Sequence, residues 1–166
     1  MTGIFFAYGV IMPIEIQDAF KQFIEVHRVA RLATVDGAGH PSVIPVCYVY
    51  EENAFYSAID AKPKRVASRQ LQRIRNIQGN PRVALLIDDY SEKWNELAYM
   101  HVRGTANIVE PAESLASEHR RAVAALRLKY TQYRSMTLEQ SPLIRIVPDR
   151  IHVWSADGHL SSAPQH

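Results

Sequence analysis

"VARLATVDGAGHPSVIPVCYVYEENAFYSAI", Val29 to Ile59, decides the fold. "VARLATVD" is short and apolar, "GAG" is turn chemistry, and "HPSVIPVCYVY" is rich in β-branched and aromatic residues. The spacing predicts a hairpin whose loop runs from Asp36 to His40. "HPSVIPVCYVY" reads as one strand, with Cys47 in its middle as a small hydrophobe. "EEN" then turns the chain into a third strand, "AFYSAI".

Upstream, "IEIQDAFKQFIEVH" puts Ile16, Phe20, Phe23 and Ile24 at helical spacing, so Glu15 to His27 is predicted as an amphipathic helix. Before it, "MTGIFFAYGVIMPI" is apolar but shorter than the ~20 residues of a membrane span, with no basic n-region and no A-x-A site. It reads as neither anchor nor signal. Patterned sequence begins just after Met12, so residues 1–12 are expected to lie outside the folded unit, with Met12 as the expected start.

Downstream, a helix is expected from about Arg65, with Ala67, Leu71, Ile74 and Gln78 on its core side and Arg65, Arg69 and Arg73 opposite. Gly79 and Pro81 stop it. "RVALLID" and "AYMHVRGTANIVE" follow as strands, with Gly104 marking a bulge or a close backbone approach. Pro111, Glu110 and Glu113 open a further helix that turns Leu115, His119, Ala122, Val123 and Leu126 to the core. "SPLIRIVPDRIHVWSA" offers one or two last strands interrupted at Pro148-Asp149, and "DGHLSSAPQH" a loose tail. Six or seven strands linked by hairpins, with three helices, imply a small antiparallel barrel of mainly β (α+β) class with helices at its ends.

A chain of 166 residues, 47% hydrophobic and 22% charged, suits one domain with one substantial core. The single cysteine, Cys47, leaves no internal disulfide and points to the cytoplasm. A net charge of +2 is too even for a general polyanion binder, so no nucleic-acid partner is expected. Glycine-rich nucleotide loops, a hydrolase elbow and paired metal-ligand motifs are all missing from the sequence. No metal site is expected from His27, His40, His101, His119, His152, His159 and His166, which are scattered.

"DAKPKRVASRQLQRIRN", Asp60 to Asn76, nevertheless gathers six of the 19 Lys and Arg residues. Lys62, Lys64 and Arg65 stand between a strand end and a helix N-terminus, where the helix dipole disfavours cations unless an anion joins them. A phosphate is the favoured reading, with a plain solvated turn as the alternative. Arg69, Arg73 and Arg75 read as a solvated helix face.

"RLATVDGAGHPSVIPVCYVYEENAFYSAIDAKPKR" followed by "LQRIRNIQGNPRVALLIDDYSEKWNELAYMHVRGTA" resembles the pyridoxamine-5'-phosphate-oxidase-like split β-barrel family of flavin and deazaflavin proteins. Within it, the likeness is nearest to the coenzyme F420-dependent oxidoreductase class. The shared order is A-T-x-D-G-x-G-x-P, K-P-K-R after a strand, R-N-I-x-x-N-P-R-V, D-x-Y-x-x-x-W-x-x-L and V-R-G-T-A, over about Phe20 to Trp154. The resemblance implies an FMN-binding type of split barrel and a homodimer with cofactor sites at the subunit interface. By the same likeness, Lys62, Lys64 and Arg65 would grip the cofactor phosphate, with Ser57 at the mouth of the site. Backbone groups of Ile44, Pro45 and Val46 would face the tricyclic ring, and Trp94, Tyr99 and Arg103 would wall the substrate or the partner subunit, with core packing as the equal alternative.

The cofactor so implied is coenzyme F420, with FMN as the alternative, and the activity is hydride transfer to an electron-poor small molecule. The pyridoxamine phosphate oxidases proper carry more basic and polar residues near their C-terminus. This chain has only Arg150 and His152 before its tail, so pyridoxamine phosphate is not the expected substrate. A non-catalytic flavin or haem carrier is the competing class, with His27, His40 and His101 as available imidazoles.

Overall fold

The structure, a computed structural model, describes residues 16–59, 71–111 and 116–160. Helix α1, Asp18–Val26, turns Phe20, Phe23 and Ile24 inward, with Ile16 just ahead of it also buried. Asp18 in its first turn suits the positive end of the helix dipole. Strands β1 (Ala30–Val35) and β2 (Pro41–Val46) form the expected hairpin around Asp36–His40. The Asp36 carboxylate accepts from the backbone N–H groups of Ala38 and His40, and Gly39 supplies a φ of 87°.

The strand expected through Cys47 is in fact two. After β2 the ladder stops at Cys47 and Tyr48, then resumes as β3 (Val49–Glu51), which turns through Glu52 and Asn53 into β4 (Ala54–Ala58). Tyr48 explains the break. Its N–H donates to the Tyr130 hydroxyl at 2.9 Å, and that hydroxyl shares its proton between the carbonyls of Tyr48 and Arg28, at 2.8 and 2.9 Å. A side chain therefore satisfies backbone groups that a neighbouring strand would otherwise take. β2 and β3 consequently lie at opposite edges of one seven-stranded antiparallel sheet, in the order β2-β1-β5-β6-β7-β4-β3.

β5 (Arg82–Asp89), β6 (Ala98–Val109) and β7 (Leu143–Ser155) form the middle. β7 is a single strand through Pro148. The register slips at Arg103/Gly104, where Gly104 faces Pro148 and Arg103 faces Arg150. A β-carbon on Gly104 would lie 2.3 Å from the Val147 carbonyl oxygen, so this is the close backbone approach that only glycine allows.

Helix α2, Gln72–Gly79, buries Ile74, Asn76 and Ile77, whereas Gln78, expected on the core side, is exposed. The buried Asn76 is satisfied, since its amide N–H donates to the Thr34 hydroxyl at 2.9 Å and its carbonyl oxygen accepts from Gln72 at 2.7 Å. Gly79 closes the helix without a left-handed φ. Helix α3, Ala116–Lys129, carries His119, Ala122, Val123 and Leu126 into the interior as expected, and its predicted opening through Glu113 lies outside the described residues. The tail is less loose than predicted. Leu160 is buried, and its N–H donates to the Ser155 hydroxyl at 2.9 Å.

Two apolar clusters fill the molecule. The larger joins α1 and α2 to the inner face of the sheet through Leu32, Phe55, Leu85, Met100 and Ile144, and the smaller joins α3 to Val49, Tyr56 and Leu143. β4 is buried on both faces because it divides them. This is the split antiparallel barrel of α+β class. Among the described residues no helix is long and apolar enough to cross a membrane.

Candidate functional site

Alternation along β1, β5, β6 and β7 sends one set of side chains into the core and the other outward. Register aligns the outward set into rungs. In the first, Asp88, Tyr99 and Trp154 lie side by side. In the second, Pro45, Arg31, Leu86, His101 and His152 follow one another across five strands. In the third, Val43, Ala33, Ala84, Arg103 and Arg150 do the same.

These rungs make a surface of graded chemistry. Tyr99 stacks on Trp154 with centroids 5.7 Å apart at 28°, and its centroid is 5.8 Å from that of His152. Trp94, in a 3-10 turn between β5 and β6, is 75% exposed, and Tyr90 beside it 73%. Toward β2 the surface becomes shallow and apolar, with the small Ala33 and Ala84 flanked by exposed Val43. Arg31 pairs with Asp88, whereas neither Arg103 nor Arg150 has a carboxylate partner among the described residues. Like charges directly opposite on neighbouring strands weaken a sheet slightly, so an anion beside the arginine pair would be stabilising.

β2 is an edge strand, and Pro45, which has no N–H, sits inside its ladder. Proline is tolerated there only with its nitrogen turned away from β1. By the two-residue period, the backbone groups open at this edge are the Pro45 carbonyl and the N–H and carbonyl of Val43. Of the predicted ring contacts, Ile44 and Val46 turn their backbone to β1 and their side chains inward, and Pro45 faces out.

Tyr99 and Arg103 share the outer face, and Trp94 stands on the loop at its Tyr99 end, so core packing is excluded for all three. Ser57 is 4% exposed and sits on the Phe55 side of β4, toward the larger core, rather than on this face. Lys62, Lys64 and Arg65 lie outside the described residues. Arg150, His152 and Trp154 were missed as site residues, although "RIHVW" and "YMHVR" are two runs with matching outward positions at i, i+2 and i+4. Histidines scattered in sequence thus meet in one case, His101 with His152.

The other described histidines have local roles. His27 bridges the Phe23 carbonyl at 2.7 Å and Asp89 at 2.8 Å, His40 holds Asp36, and His119 contacts the Ser141 carbonyl. His159 pairs with Asp157. Among the described residues no three His, Cys, Asp or Glu side chains converge on a metal position. A flat aromatic flank, a shallow apolar floor beside a free strand edge and an unneutralised arginine pair suit a planar, anion-bearing cofactor.

The fold recurs widely among solved structures. The haem storage protein HutZ from Vibrio cholerae superposes with a TM-score of 0.62 at 17% identity, covering 86% of this chain and 95% of that one. A FAD-binding protein from Mesorhizobium loti gives 0.58 at 18% identity, covering 81% and 88%. An F420 reductase gives 0.56 at 20% identity, covering 82% and 98%. At these identities the likeness is one of fold. No curated protein matches the chain. The sequence pattern of the pyridoxamine 5'-phosphate oxidase family, in contrast, matches residues 16–155, and the chain belongs to that family.

Proposed function

We propose that the protein is a cytoplasmic, homodimeric oxidoreductase that binds coenzyme F420 on the outer face of the sheet and uses it to reduce an electron-poor small molecule. The observation that carries this reading is the set of facing pairs Tyr99/Trp154, His101/His152 and Arg103/Arg150. When bound, the cofactor supplies the hydride. The chain supplies binding and order. Lys62, Lys64 and Arg65, following β4, grip the phosphate, and Ser57 closes the inner side of that strand end. The edge of β2 at Val43 to Val46 meets the ring, and Tyr99, Trp154 and Trp94 shield the reacting surface from water. Arg103 and Arg150 hold an anionic group, and the imidazoles of His101 and His152 are placed to pass a proton at their ring nitrogens.

A second copy covers the face that Val43, Trp94 and Trp154 leave exposed. The family and an F420 reductase of the same fold support this reading, while the FAD-binding neighbour supports FMN as the alternative cofactor. A non-catalytic haem carrier is favoured by one observation, the register pairing of His101 with His152, beside the likeness to HutZ. Titration with F420, FMN and haemin, followed by turnover against a panel of conjugated ketones and nitroarenes, separates the three. Binding without any redox change across the panel would favour the carrier.

A further inference from the structure

On the side of the fold away from that face, α1, β3 and α3 border an open pocket of about 340 Å³. Its walls include Ile24, Val49, Ala125 and Leu128, and it is also lined by Glu51 and Lys129. Lys129 is the last residue of α3. Its Nζ donates to the Ile24 carbonyl at 2.8 Å and lies 4.0 Å from the Tyr48 ring centroid and 5.7 Å from that of Tyr130. Lys21 and Lys93 pair with Asp18 and Glu96, whereas Lys129 has no carboxylate within ion-pair distance among the described residues.

An amine half-buried without a counter-ion loses its proton easily. Burial first, then the Arg28 guanidinium, pulls Lys129 down to about 8, against the opposing pull of Glu25 and Cys47. Lys21 lines the same pocket, and burial with the neighbouring Glu52 raises the Glu51 carboxyl above its usual range, so this acid keeps its proton further toward neutrality. The Tyr48 face attracts a cation and so opposes release of the proton. It would equally hold a cationic product on the same nitrogen.

We propose that this pocket is a second small-molecule site, in which Lys129 captures an apolar aldehyde as an imine. Nζ attacks the carbonyl carbon, a C–N bond forms, and the C=O π pair moves to oxygen, which takes a proton. The nitrogen gives up both of its protons to solvent, solvent delivers two in all to the oxygen, and the nitrogen lone pair expels that oxygen as water. Nothing is oxidised, and the products are one imine and one water. The aliphatic walls select for an apolar aldehyde, and the iminium form rests over Tyr48.

The test uses the full chain with benzaldehyde and cyanoborohydride at pH 7, and mass spectrometry to follow benzylation of its five lysines. Lys129 is expected to label about tenfold faster than the exposed Lys93, because more of it is unprotonated at that pH. Lys129→Arg, which keeps the cation over Tyr48, should fold and lose only that label. Labelling of Lys129 no faster than Lys93 would overturn the proposal and leave Lys129 as a cap for the end of α1.

Discussion

Arg103→Gln separates what the arginine pair does for the fold from what it does for a ligand. Arg103 and Arg150 face each other across β6 and β7, exposed and without acid partners among the described residues. Removing one charge relieves a directly opposed like pair, worth about 0.2–1 kcal/mol, toward the lower end because both groups are solvated. The variant should therefore melt about 1–3 °C higher, less so at high salt, where screening has already weakened the repulsion. Its affinity for an anionic ligand should fall by about 1.5–3 kcal/mol, or roughly 10- to 150-fold, for a lost charge-assisted hydrogen bond. Differential scanning calorimetry at low and high salt reads the first effect, and a fluorescence titration with F420 reads the second. A variant that melts lower, or that binds as tightly as the parent, would refute the assignment of this pair to an anion.

The remaining expectations are narrower. Tyr130→Phe strands the buried Tyr48 N–H and should lower stability by about 1–3 kcal/mol in urea titrations, whereas an effect under a few tenths would mean that something else holds the β2–β3 corner. Lys62→Ala with Lys64→Ala should weaken cofactor binding by about 1.5–3 kcal/mol per charged hydrogen bond lost and leave the circular dichroism unchanged, and unaltered affinity would remove the phosphate grip. Burial, then the hydrogen bond to Glu118, pushes the Tyr56 phenol up to about 12. Because the folded value exceeds the unfolded value near 10, this contribution is complete below pH 10 and is lost as pH rises toward 12. Alkaline unfolding should be less steep in Tyr56→Phe, with Tyr130, also raised to about 12, leaving a residual slope.

Local pattern carried much of this fold. The Asp36–His40 hairpin and the inward faces of α1 and α3 follow from neighbours in sequence. The break at Tyr48 does not, because the hydroxyl that satisfies its backbone belongs to Tyr130, 82 residues away. The phase of α2 escaped for a related reason. Asn76 looks polar and outward until Thr34 is placed beneath it, and the burial of Ile77 then turns Gln78 to solvent. At the candidate site, Tyr99 and Arg103 came from the family likeness, but their partners depended on a register set by the Gly104 bulge. One residue's slip there decides that Arg103 meets Arg150. Which backbone groups of β2 open outward depends on its pairing with β1, where Pro45 inside the ladder implies that Val43 rather than Ile44 does so.

Whether a deazaflavin binds this face decides the function. The most direct measurement is a fluorescence-quench titration of the purified protein with F420, run beside FMN and haemin and repeated on Arg103→Gln. Micromolar or tighter binding of F420, weakened in the variant and not matched by FMN or haemin, is the predicted result. Binding of FMN or haemin in preference to F420, or F420 binding that ignores Arg103, would contradict it.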